Sequence, residues 1–119
     1  DWRDTRLLLD DGVPRDRVAP QRSRWCDLSS PDGGLCVLDH PGNPAHPVPF
    51  YAACRAAPGA AYGDAWANTL FPSFLWDGPR RLRRQDPLRL RYRVVVHDGP
   101  WDGERAEDAW TRYAGGGTA

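Results

Sequence analysis

Apolar and polar residues alternate most regularly near the end of the 119-residue chain, between residues 88 and 97. One parity holds Leu88, Leu90, Tyr92, Val94 and Val96, and the other begins with Arg89, Arg91 and Arg93. Alternation with a period of two is typical of a β-strand that buries one face. The pattern therefore predicts a strand of an antiparallel sheet, with its apolar face on a core and its arginines in water.

Weaker alternation predicts four further strands, at residues 5–9, 35–39, 48–54 and 71–77. Sequences that favour turns separate them, and the clearest is Pro31-Asp32-Gly33-Gly34 before the second strand. Residues 10–24 mix charges with two prolines and predict no regular element. The N-terminal two thirds of the chain is therefore expected to be built from short strands.

One helix is predicted, over residues 102–113. Ala106, Trp110 and Tyr113 form an apolar stripe with helical spacing, and Asp102 is a favourable N-cap. A run of glycines is expected to end the helix and to begin a flexible tail over residues 115–119. The predicted fold class is mainly β, an antiparallel β-sandwich with one short C-terminal α-helix that packs on the sheet through Trp110.

The length fits a single domain over residues 1–119. Five short strands leave sheet edges unpaired, so the sandwich is expected to be partial. Such edges would pair with another segment or with a second copy of the chain.

Composition narrows the possible partners and the location. Sixteen arginines balance sixteen acidic residues, so no net charge attracts the chain to nucleic acid, and no apolar run is long enough to cross a membrane. The three cysteines form no C-x-x-C pair, which argues against a zinc knuckle. We therefore expect a soluble, cytoplasmic chain whose Cys36 is a small buried apolar residue.

Candidate chemistry concentrates in the loop Asp39–Pro47, where Asp39, His40, Asn43 and His46 lie among three prolines and a glycine. The prolines restrict the loop, which suits two imidazoles held in fixed positions. The histidines could act as general acid and base, or could bind a divalent metal with Asp39. The alternative is that they only hydrogen-bond the loop backbone.

Residues outside this loop add three further candidates. His97 ends the most regular strand and could join the loop histidines only if the strand ends are neighbours. Trp66 and Trp76 are candidate sugar-binding residues, because an aromatic face stacks on a sugar ring.

Seven arginines lie within the fourteen residues 80–93, against the single acidic residue Asp86. They could pair with the acidic residues that follow in residues 98–108, or they could bind an anion such as a phosphate or a sugar acid. We expect the pairing within the chain.

The segments CVLDHPGNPAHPVPFY, LFPSFLWDGP, LRLRYRVVVHDG and AEDAWTRYA follow one another between Ser23 and Ala114. In this order they resemble the bacterial PmoA-like family of unknown function, and the D-H-P-x-N-P-x-H-P loop is the most specific part. Phe50 stands where that family commonly has Trp. The resemblance implies that this sequence is the C-terminal part of a β-sandwich of roughly twice this length, in the neighbourhood of sugar metabolism. A genuine methane monooxygenase subunit spans the membrane many times, so that activity is not expected here.

Two classes of function follow. In the first, the domain acts on a carbohydrate or another small molecule, with His40, His46 and His97 as catalytic residues and with Asn43, Asp39, Trp66 and Trp76 as substrate-binding residues. In the second, it is a non-catalytic module that binds a glycan or supports a partner. The sequence indicates no particular cofactor and leaves metal binding open.

Overall fold

The computed structural model describes residues 4–54 and 69–116. Seven strands and one helix follow one another in this order: β1 (Arg6–Leu9), β2 (Arg17–Arg22), β3 (Trp25–Ser30), β4 (Gly33–Asp39), β5 (Pro49–Ala53), β6 (Thr69–Pro72), β7 (Tyr92–Asp98) and α1 (Gly103–Gly116). The strands form a four-stranded sheet, in the order β1-β3-β4-β7, and a three-stranded sheet, in the order β2-β5-β6. All pairings are antiparallel, as predicted.

The two sheets pack face to face over one apolar core. Leu7 and Leu9 of β1 contribute to it from the larger sheet, and Val18, Phe50 and Ala52 contribute from the smaller one. All five side chains are almost completely buried. Burial of this kind is the main stabilising contribution in a domain of this size, so the predicted antiparallel sandwich is confirmed.

A second core lies on the opposite face of the larger sheet, under α1. Leu8, Trp25, Cys36 and Leu38 point to this side, and Ala106 of the helix packs against them. Successive residues of a strand point to opposite faces, so the strands that lie between the two cores are apolar on both. This explains why β3 and the second half of β4, from Cys36 to Asp39, are almost fully buried, and it confirms Cys36 as a small buried residue.

The predicted burial of the valines in the most regular strand is wrong, although Tyr92 on the same face packs on the core between the sheets. Val94 and Val96 are 57% and 81% exposed, while Val95 on the arginine side packs on the cluster under the helix and the His97 side chain is 5% exposed. The physical reason is that α1 packs on the arginine side of the larger sheet, whereas the described part of the smaller sheet does not extend over the valine face of β7. The strand also begins only at Tyr92, so Leu88 and Leu90 precede it.

Three other boundaries differ from the prediction. β2 and β3 form where the sequence predicted no element or left the residues unassigned. The predicted strand at 71–77 ends at Pro72, since the N–H groups of Trp76 and Gly78 donate to carbonyls three residues earlier and form turns. Phe74 consequently packs on the core, whereas Trp76 is exposed.

The helix follows the predicted capping and packing. The backbone N–H of Arg105 donates to Asp102 Oδ1 at 2.9 Å, the expected N-cap bond, and Trp110 packs on the sheet. The helix continues to Gly116, so the first two residues of the predicted tail are helical, and residues 117–119 lie outside the described part. No helix among the described residues is long and apolar enough to cross a membrane.

Gly34 sits where β3 and β4 approach most closely. A Cβ atom there would lie 2.1 Å from the Leu28 carbonyl oxygen. Because backbone must move to relieve this clash, we expect Gly34→Ala to lower the free energy of unfolding by about 2–3 kcal/mol. Urea unfolding measures this, with Gly115→Ala as the control in open helical space, where Ala is neutral or stabilises by up to about 1 kcal/mol. Equal stability of the two variants would contradict the β3–β4 packing.

Candidate functional site

The loop that follows β4 is organised by the buried carboxylate of Asp39, whose side chain is completely inaccessible to solvent. Its Oδ2 accepts from the Val48 backbone N–H at 3.0 Å and lies 2.6 Å from His46 Nδ1, and its Oδ1 accepts from Asn43 Nδ2 at 2.8 Å. Three donors therefore satisfy a group that would otherwise be costly to bury. All three belong to the proline-rich loop or to the residue that follows it.

Asn43 ties this loop to the strand β7. Its Oδ1 accepts from the Arg91 N–H at 2.7 Å, and its Nδ2 also donates to the Arg91 carbonyl at 2.6 Å. The side chain is 7% exposed, and both of its amide hydrogens are used inside the protein. Asn43 and Asp39, which we expected to bind substrate, are therefore placed to position the loop.

His46 is oriented by two neighbours. Because Asp39 accepts at Oδ2, Nδ1 of His46 carries the proton, and the neutral ring has its lone pair on Nε2. The ring stacks on Trp110 of α1, with 5.9 Å between centroids and an interplanar angle of 7°. Nε2 forms no hydrogen bond with the residues that the structure describes, and the His46 side chain is 16% exposed. This is the geometry of a general base held by a carboxylate.

His40 has the opposite arrangement of its ring protons. Its Nδ1 accepts from the Gly42 N–H at 2.9 Å, so in the neutral ring the proton is on Nε2. The ring meets the edge of Tyr113, with 5.3 Å between centroids. Partial burial, with the positive charges of Arg91 and His46, lowers the pKa of His40 below 6.5, and Asp39 opposes this only in part. His40 is therefore a neutral hydrogen-bond donor near pH 7.

Both imidazoles of the loop contact α1, His46 at Trp110 and His40 at Tyr113. Trp110 and Tyr113, which they contact, are three residues apart, or about 4.5 Å along a helix axis. One ring offers a lone pair and the other an N–H. Such a pair can remove a proton from one oxygen of a ligand while it donates a hydrogen bond to another.

Arginines cover the outer faces of the same aromatic rings. The Arg24 guanidinium lies 5.0 Å from the Trp110 ring centroid, and that of Arg93 lies 4.6 Å from the Tyr113 ring centroid. Arg24 also pairs with Asp10 and Glu107. These cation–π contacts fix the walls of the site.

His97 does not join the loop histidines. It pairs with Gly34 at one end of the β4–β7 ladder, while Asp39 pairs with Tyr92 at the other. Its Nε2 lies 2.7 Å from Asp27 Oδ1, its Nδ1 lies 2.9 Å from the Gly99 carbonyl, and Trp101 stacks on the ring at 4.2 Å. Both ring nitrogens of His97 have hydrogen-bond partners and its side chain is 5% exposed, so neither nitrogen is available to a ligand.

Of the two predicted tryptophans, Trp76 is not in the loop site. Trp76 is 61% exposed and lines a shallow depression of about 300 Å³ with Tyr51, Phe71 and Ser73, beside the smaller sheet. Tyr51 and Phe71 stack there, with 5.8 Å between centroids. Trp66 lies outside the described residues.

Sequence reasoning missed part of the site. From the sequence, Trp110 and Tyr113 were expected only to pack the helix on the sheet. Their spacing also places both on one face of the helix, where each can contact one histidine ring. Arg91 was treated as one charge of the arginine run. The arginines of residues 80–93 were expected to pair with the acidic residues of segment 98–108. Two of those acidic residues pair with other arginines instead: Glu107 pairs with Arg24, and Asp108 pairs with Arg112.

A metal site is not formed by these groups. Within residues 4–54 and 69–116, no three His, Cys, Asp or Glu side chains are grouped so as to hold an ion. In the described site, Asp39 has its oxygens filled by protein donors, which leaves the two imidazoles as the chemically available groups.

Because folding lowers the pKa of His40, the unfolded chain binds this proton more tightly than the folded chain does. Its contribution to stability is complete above 6.5 and is lost as the pH falls through that value and through the lower folded pKa. We expect His40→Asn, whose Oδ1 can still accept from Gly42, to show a smaller loss of melting temperature over this range. Thermal melts at several pH values measure it, and an unchanged pH dependence would contradict the placement of His40.

Comparison with known protein families shows one match, to a family of unknown function (DUF6807), over residues 1–111. No curated protein and no solved structure matches the chain. The resemblance to the PmoA-like family stays a prediction, because none of these findings bears on it. Since the match covers most of the sequence, this chain belongs to the DUF6807 family of unknown function.

Proposed function

We propose that the loop Asp39–Pro47 is a proton-transfer site for a carbohydrate. The observation that carries the proposal is a pair of imidazoles against the same helix with complementary protons, His46 with the lone pair on Nε2 and His40 with an Nε2–H. Carbohydrates present neighbouring oxygens, one a proton donor and the other an acceptor. The two rings match that pattern.

His46 acts as the base in this proposal. When Nε2 takes a proton, the ring becomes an imidazolium whose Nδ1–H already points at the Asp39 carboxylate. The buried negative charge stabilises the imidazolium without any rearrangement, as in other carboxylate–histidine pairs. Asp39 and Asn43 are positioning residues here, since neither side chain reaches the ligand.

His40 acts as a neutral electrophile. Its Nδ1 is occupied by the Gly42 N–H, so it cannot take up a second proton without losing that bond. A neutral imidazole donates a hydrogen bond to a developing oxyanion and does not give up its proton fully. Its lowered pKa keeps it in this form near pH 7.

The simplest reaction of this kind is the opening of a sugar hemiacetal. His46 Nε2 takes the proton of the anomeric hydroxyl, the C1–O1 bond becomes a carbonyl, and the bond between C1 and the ring oxygen breaks. His40 stabilises the negative charge on that oxygen, and the His46 imidazolium then returns the proton to it. Protons and electrons balance within the sugar and one histidine, and reclosure gives either anomer.

The test measures the rate at which the two anomers of reducing sugars interconvert, by NMR exchange, with and without the protein. We expect acceleration by the wild type and a loss of about 10²–10⁴-fold in His46→Asn, which is the usual contribution of a general base. Asn is chosen because its amide can replace the Nδ1–H that donates to Asp39 while the Nε2 lone pair is removed. A melting temperature close to that of the wild type shows that the variant is folded.

An equal rate for the wild type and His46→Asn would contradict the proposal. So would the absence of acceleration for every sugar in a panel of hexoses, pentoses and sugar acids.

A second candidate is a non-catalytic glycan-binding module, and the exposed surface formed by Tyr51, Phe71 and Trp76 favours it. An aromatic face is worth about 1 kcal/mol or more when an apolar ring face covers it. In this case Trp76→Ala abolishes binding of the sugar, whereas His46→Asn leaves it unchanged. Titration of both variants by NMR separates the two functions.

A further inference from the structure

The backbone of Arg91 is fixed against the histidine loop. The Asn43 side chain donates to the Arg91 carbonyl and accepts from the Arg91 N–H. The backbone N–H of His40 donates to the same carbonyl at 3.3 Å. Arg91 is therefore held at the start of β7 by the residues that form the site. The backbone of Arg91 is therefore fixed in position, whereas its side chain is exposed to solvent.

The Arg91 guanidinium extends over Gly42 and beside the His40 ring. A Cβ atom on Gly42 would lie 2.9 Å from Arg91 Nη2 and 3.1 Å from His40 Nδ1. Both groups therefore border the same small space above Gly42, which any side chain at this position would fill. The two groups are neighbours at the mouth of the site.

The charges around this space do not cancel. The one carboxylate of the loop, Asp39, is buried and hydrogen-bonded by His46, Asn43 and Val48, so it does not pair with Arg91, and Glu107 pairs with Arg24. Among the described residues, no carboxylate pairs with the Arg91 guanidinium, while the neighbouring guanidinium of Arg93 lies over Tyr113. The effect of Arg91 on the pKa of His40 agrees with this excess of positive charge.

We propose that the ligand of this site is an anionic sugar, whose carboxylate or phosphate is bound by the Arg91 guanidinium beside the His40 ring. The inference rests on the proposed function of the same loop and adds the charge of its ligand. A guanidinium donates two parallel hydrogen bonds to an oxyanion, and that of Arg91 lies at the edge of the loop that carries both histidines. Sugar acids and sugar phosphates share this chemistry.

The experiment titrates the 119-residue chain with glucuronate, inorganic phosphate and glucose, and follows backbone amide shifts by NMR. We expect glucuronate to shift the signals of residues 40–43 and 91, to bind more tightly than glucose, and to weaken as salt is added. Arg91→Gln is expected to lose about tenfold or more in affinity, the usual effect of removing a charged hydrogen-bond donor. Arg89→Gln, which removes an exposed charge of the same segment, is the matched control and is expected to bind like the wild type.

Binding of inorganic phosphate at the same signals would support the proposal and would indicate a sugar phosphate if it is tighter than that of glucuronate. The proposal is overturned if no anion binds, if glucose binds as tightly as glucuronate, or if Arg89→Gln loses as much affinity as Arg91→Gln. The proposed proton transfer is judged separately, by anomer interconversion in His46→Asn. Arg91-dependent binding of glucuronate with unchanged interconversion in that variant would support the anion site and contradict the base.

Discussion

A single buried carboxylate organises this end of the molecule. Asp39 is the last residue of β4, and its side chain, removed from water, must find donors for both oxygens. The donors come from Asn43, His46 and Val48, which are brought together only when the proline-rich loop folds back over it. The Asp39 carbonyl in turn accepts from Trp110 Nε1 at 2.8 Å, so the loop, the helix and β7 all converge on one residue.

The chain uses the same pair of groups twice, with different results. Asp27 and His97 form a carboxylate–imidazole pair at the far end of the ladder, where Trp101 covers the ring and the Gly99 carbonyl takes the second nitrogen. Burial raises the pKa of the Asp27 carboxyl, and Ser29 and His97 oppose this by hydrogen bonding. His46 has the same type of partner, but its side chain is 16% exposed and its second nitrogen bonds to none of the described residues. Access to Nε2 therefore separates the candidate base from a structural pair.

Much of the fold was predictable because it follows from local patterns. Alternation in β1, β4 and β5 and the stripe on α1 identified those elements, and Asp102 marked the helix start. The sequence could not show which face of β7 is covered. Valine favours burial and arginine favours exposure, but neither preference tells which layer of the fold lies against each face. The helix α1 packs on the arginine side of the sheet, and this packing determines which face is covered. β3 was missed because both of its faces are buried, which removes the alternation.

The site was predictable in its loop but not in its roles. The spacing of Asp39, His40, Asn43 and His46 indicated a rigid polar loop, yet the contacts that define each residue come from elsewhere. Trp110, Tyr113 and Arg91 lie about 50–70 residues from the loop in sequence, and only the β4–β7 pairing and the helix packing bring them to it. The sequence of the loop Asp39–Pro47 alone could not show that His46 keeps one ring nitrogen without a partner while His40 bonds to the loop backbone.

The central claim is that Asp39 holds the His46 proton on Nδ1 and leaves Nε2 bare, while Gly42 imposes the opposite arrangement on His40. Long-range ¹H–¹⁵N NMR of the imidazole nitrogens at a pH above 7 tests it directly, because protonated and unprotonated ring nitrogens have well-separated shifts. The account predicts a protonated Nδ1 in His46 and a protonated Nε2 in His40. A protonated Nε2 in His46, or rapid averaging between its two tautomers, would contradict it.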